Sequence, residues 1–172
     1  LKELGNEKSL KILEASIPEG WIKPTPNSSF DDKAQWIYAK YRWRAFISDG
    51  HMNSDSSSNG IRDTECLNFG IIDAARTGNG ERLMWWLAHR ADVNVLYKNK
   101  DSDYPRTPIQ EAILKGHMRC ISLLALNGAD IYLRDGNGAT AFNYLENGDN
   151  VLDPNTVIGI QTVLLNTLRA DC

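Results

Sequence analysis

Between Thr107 and Asp135 the chain spells out a complete helix–turn–helix unit too small to bury its own apolar side. Thr107 is a good N-cap, and Pro108 falls at the first helical position, where a missing N–H costs nothing. Ile109, Ala112 and Ile113 follow at i, i+3 and i+4, one apolar stripe on a short helix. Lys115-Gly116 closes it, because glycine accepts the left-handed conformation that a helix C-terminus favours. A second helix carries Cys120, Ile121, Leu123 and Leu124 as its apolar side, and Gly128 ends it ahead of Ala129-Asp130-Ile131.

Thr107 to Asp135 resembles one ankyrin repeat, written TPLHxAA…GH…LLxxGADxxxxD, with Gln110 in place of the usual His. Such a unit needs neighbours, so a period is expected. Thr140 stands 33 residues after Thr107, inside Asp135–Phe142. Upstream, Ala74-Ala75, Gly78-Asn79, Leu83, Trp86-Leu87 and Ala91–Asn94 repeat the pattern. The step from Ala91 to Ala129 is 38, so this connection carries about five residues beyond the usual period. They are placed in Tyr97–Tyr104. The last unit departs further: Glu146–Asn155 is an insertion rich in Gly, Asn and Asp, and Val157–Leu168 resumes as a helix that caps the stack. The expected fold is all-α, an ankyrin-repeat solenoid of three repeats (67–97, 105–135 and 138–170), the last irregular.

Composition narrows the function classes. Of 172 residues, 42% are apolar and 24% charged, ordinary globular values that leave material for a core. A net charge of −3 argues against nucleic acid as the main partner, since such binders carry a basic face. Cys66, Cys120 and Cys172 form no CxxC pair, so neither a zinc cluster nor a disulfide framework is supported, and a reducing, cytoplasmic setting is expected. No apolar run reaches membrane-spanning length, and no signal peptide opens the chain. It starts on Leu1 in mid-pattern without Met, which suggests a piece of something longer.

Residues 1–49 read differently. Leu1–Asn6 starts inside a helix, continued by Ser9–Ala15 with Leu10, Ile12 and Leu13 as apolar positions. Ile17–Trp21 and Lys23-Pro24-Thr25-Pro26 form a stiff extended connection, because each proline fixes its own backbone and restrains its predecessor. Ser29-Phe30-Asp31-Asp32 outlines a capping box. The helix it opens carries Trp36, Ala39, Trp43 and Phe46 at spacings of 3, 4 and 3, a stripe expected to face a core.

This segment resembles the C-terminal end of the Arf GTPase-activating zinc-finger domain. The matching residues are Glu3–Asn6, Glu14-Ala15, Lys23–Pro26, Ser28-Ser29 and Gln35–Tyr41, in the family's order LGN then KPxPxxSxxEKxxWIxAKYxxKxF. Joined to ankyrin repeats, it points to the subgroup in which the activating domain precedes such repeats, often with BAR and PH domains upstream. The resemblance implies a parent that promotes GTP hydrolysis on a small Arf GTPase in membrane traffic, peripheral to endosomal or plasma membrane. The family's activity comes from a CxxC…CxxC zinc finger and an arginine just beyond it, which stabilises charge on the transferred phosphoryl. Those residues would lie upstream of Leu1. The chain is therefore expected to hold no cofactor and not to be an enzyme, contacting membranes only indirectly. An alternative is a stand-alone, non-catalytic adaptor that competes with its full-length parent.

Residues 50–66 read as a flexible linker: Gly50–Gly60 is serine-rich and lacks apolar periodicity. A phosphorylation site fits there, as does a plain spacer. No catalytic constellation is visible, since His51, His89 and His117 fall in different elements; His117 is expected to serve turn hydrogen bonding. Gly78-Asn79-Gly80 and Gly136-Asn137-Gly138 lack a phosphate-loop layout and sit where the repeat needs turns. Trp86 and Leu87 should pack against the next repeat, and Trp85 is read either as a partly exposed anchor for a partner or as packed on the segment before the repeats. Lys40, Arg42 and Arg44 around Trp43 form a small positive patch, read either as solvated helix face or as contact for an acidic partner or anionic lipid. The expected recognition surface is the concave side of the repeats, where tip side chains are not needed for stacking: Tyr97, Lys98, Lys100 and Tyr104 in the extended connection, with Tyr132 and Arg134 on the next tip.

Overall fold

The computed structural model describes residues 5–47, 64–98, 102–146 and 154–170. The chain forms two compact units that divide between residues 61 and 62. Its elements are helical throughout the described residues, apart from one isolated antiparallel bridge between Tyr97 and Arg106.

The first unit contains α1 (Gly5–Leu13), α2 (Phe30–Ile37) and a π-helical turn, π1 (Tyr38–Trp43), that continues α2. Ser29 caps α2 as its sequence implies: Oγ accepts from the Asp32 N–H. The second limb differs from a capping box, because the Ser29 hydroxyl donates to Asp32 Oδ2 at 2.7 Å. Ser29→Ala removes both contacts at an exposed site, and a loss of about 1 kcal/mol is expected; a tryptophan-emission urea titration measures it.

The core of this unit is aromatic. Trp36, Ala39 and Phe46 are buried together, and Trp21 closes the cluster with ring centroids 6.3 Å from Trp36 and 5.1 Å from Phe46. Trp43 does not join it. The expected stripe assumed 3.6 residues per turn, whereas the π turn widens the step, so Trp43 lies 58% exposed against Tyr38. The turn ends at Arg44 in the left-handed region (φ 53°), and Ala45 N–H returns to the Ala39 carbonyl at 2.9 Å. Lys40 also departs from the solvated-patch expectation: it is buried and pairs with Glu14 at 2.8 Å, while Lys23 takes the other Glu14 oxygen at 2.6 Å. Burial pushes the Glu14 carboxyl up, but the two ammonium groups outweigh it and hold its pKa below the ordinary range.

The second unit contains α3 (Thr64–Arg76), α4 (Gly80–Ala88), α5 (Pro108–Leu114), α6 (Met118–Leu126), α7 (Asn143–Glu146) and α8 (Pro154–Ala170). Helix α3 starts at Thr64, so residues 64–66 belong to the first repeat rather than to the linker; residues 50–63 lie outside the described residues. The helix ends obey local chemistry. Gly78, Gly116 and Gly128 take φ of 72°, 68° and 86°, and each closes its helix with a backward backbone bond from the next residue, such as His117 N–H to the Ala112 carbonyl at 2.9 Å. At the end of α4 Arg90 fills this left-handed role (φ 66°), with Ala91 N–H on the Trp86 carbonyl.

Stacking buries what single helix pairs cannot. Ile71, Ile72, Leu83, Ile109, Ile113, Ile121, Leu124, Ile160 and Leu164 are at most 1% exposed. Helices α3, α5 and α7 succeed one another in contact, as α4, α6 and α8 do. His117 works across this seam rather than within its own turn: Nε2–H donates to the Arg76 carbonyl of the preceding repeat at 3.1 Å. The buried Cys120 thiol approaches the Ala74 carbonyl at 3.8 Å. Asn94 ties the tips, its amide reaching the Gly128 carbonyl and its oxygen taking the Asp130 N–H at 2.7 Å.

Candidate protein-binding surface

A repeat stack uses its helices to hold itself together, so any contact surface is made of what remains at the tips. The extended connection between the first two repeats begins as a short ladder: Tyr97 and Arg106 exchange backbone bonds, both 3.1 Å. Arg106 then points inward. Its Nη1–H donates to Glu111 Oε1 at 3.2 Å and its Nε–H to the Tyr144 hydroxyl at 3.0 Å, with the Tyr104 ring centroid 4.6 Å from Cζ. The Tyr144 hydroxyl donates to Asp135 Oδ2, and Asp135 Oδ1 accepts the N–H groups of Asn137 and Ala139 at 2.8 Å each. Gly136 N–H donates to the Pro105 carbonyl at 2.9 Å. The connection is thus sewn to the hairpin of the following repeat.

Helix α5 is covered as a result. Every residue from Pro108 to Ile113 is buried, including Gln110 (0% exposed) and Glu111 (4%). Gln110 stands where the repeat's usual residue is His, and it uses its whole amide: Oε1 accepts the Thr107 N–H at 2.8 Å, and Nε2 donates to the carbonyls of Leu133 and Ala139 at 3.0 Å. The electrostatics match a satisfied network. Burial works against the Arg106 charge, but hydrogen bonds with Tyr104, Tyr144 and Glu111 raise its pKa. The same guanidinium lowers that of Tyr104, while burial and the Asp135 carboxylate push that of Tyr144 up.

The six residues expected to bind a partner therefore separate. Tyr104 is half-buried and serves the network. Tyr97 is half-buried with its ring 6.3 Å from Phe69. Lys98 is exposed, and Lys100 lies outside the described residues. Tyr132 is 58% exposed, resting on Phe142 at 5.9 Å, and Arg134 is exposed with one donor on the Gly138 carbonyl at 2.8 Å. Beside Tyr97, Phe69 (49% exposed) and Leu96 (44%) are apolar residues that the sequence reading did not single out. Both carried a signal: Phe69 falls outside the Ile71, Ile72, Ala74, Ala75 stripe of α3, and Leu96 alternates with buried Val95.

Burial pushes the Cys120 thiol up to about 11, which leaves it a small hydrophobe rather than a nucleophile. The His89 ring stacks on Trp85 with centroids 3.7 Å apart, and Nδ1–H can donate to the Trp85 carbonyl. Among the described residues no group of three or more His, Cys, Asp or Glu could hold a metal ion. Cys66 is exposed in the first repeat and Cys120 buried in the second. No helix among the described residues is long and apolar enough to cross a membrane.

Comparison with known proteins agrees with this geometry. The family model for ankyrin repeats (many copies) matches residues 71–125, which span α3 to α6. The chain is also similar to the ARF GTPase-activating protein Git of Drosophila melanogaster, 31% identical over 123 residues. That match takes in 70% of this chain but 16% of the relative, so the chain spans about a sixth of that protein's length.

Proposed function

This chain is an ankyrin-repeat protein of Arf-GAP-like sequence, and from that premise we propose that it serves as a protein-binding module without GTPase-activating chemistry of its own. The observation that carries the reading is the division of labour in the second unit. The Arg106, Glu111, Tyr144 and Asp135 network makes the tips rigid, while Lys98, Tyr132, Arg134 and Leu96 remain outside it. An aromatic side chain such as Tyr132 on a pre-ordered scaffold loses little freedom when a partner docks, and Arg134 is already held in part by the Gly138 carbonyl. The module belongs to a protein that acts on an Arf-family GTPase in membrane traffic, in the cytoplasm. A second reading, a free-standing adaptor that competes with a longer parent, uses the same surface.

Two measurements test this. Adding the chain to GTP-loaded Arf should leave hydrolysis at its intrinsic rate; acceleration overturns the non-catalytic reading. Capture of a binding protein should weaken about tenfold or more with Tyr132→Ala at unchanged melting temperature, about 1.4 kcal/mol of contact. Tyr104→Ala should instead lower the melting temperature, because it strips the ring from Arg106. Undiminished capture by Tyr132→Ala removes this surface from consideration.

A further inference from the structure

We draw no further inference here: the strongest candidate, the outer face of α8 at the end of the repeat stack, where Ile158 and Leu165 are 60% and 52% exposed, carries nothing because nothing in the structure shows what covers it.

Discussion

Replacing Gly70 by alanine is expected to destabilise the repeat unit by about 3 kcal/mol, although helix propensity alone predicts the opposite sign. Gly70 lies inside α3, where exchange to alanine ordinarily gains about 1 kcal/mol. A Cβ at this position would lie 2.2 Å from Trp86 Cε2 and 2.3 Å from Cζ2, closer than any real contact. Trp86 is 5% exposed and carries the α4 side of the packing, so its ring has nowhere to swing without parting α3 from α4. Thermal unfolding of Gly70→Ala decides between the two effects. The double variant Gly70→Ala with Trp86→Leu should lose less than the sum of the single losses, because the smaller side chain makes room for the methyl group. A Gly70→Ala protein as stable as its parent would show that this interface yields, contrary to the close packing described.

Gln110 offers a second large effect and a graded series. Gln110→Leu should cost about 3 kcal/mol, since it keeps the volume but leaves the buried Thr107 N–H and the carbonyls of Leu133 and Ala139 without their partner. Gln110→His should cost about 1 kcal/mol. A neutral imidazole has one donor and one acceptor, so it can cap Thr107 and reach one carbonyl but not both. Urea unfolding followed by circular dichroism measures the series. A leucine variant within about 0.5 kcal/mol of the parent would mean that water replaces all three bonds.

The same two residues show what could be read in advance. Gln110 was recognisable as an exception because the residues around it obey local rules: Thr107 caps, Pro108 opens the helix, Gly116 and Gly128 close theirs. Gly70 carries no such mark. The Cβ clash that makes it indispensable comes from a side chain on another helix, which no window along the chain contains. Arg90 is similar: it occupies a left-handed position that glycine fills elsewhere in the stack, so a search for glycine passes over it.

The tip residues expected to bind a partner divide on the same line. Tyr132 and Lys98 are exposed, as their place in the tips suggested, whereas Tyr104 looked equally free in sequence. Its role depends on Arg106 turning inward to Glu111 and Tyr144, a pairing across 38 residues for the second contact. In the first unit, Trp43 and Lys40 exchanged their expected places. A helical stripe at 3.6 residues per turn buries the tryptophan and solvates the lysine; the π turn and the Glu14 carboxylate reverse both.

The amino-acid sequence by itself determined the helix pairs, their caps, their apolar sides and the repeat that stacks them. Those depend on interactions among residues a few positions apart, and the pattern recurs often enough to be recognised. Only the tertiary structure decided which tip side chains are spent on holding the tips and which aromatic residues are left outside. That choice belongs to buried charges finding partners far along the chain, and to one turn of helix wound wider than its neighbours.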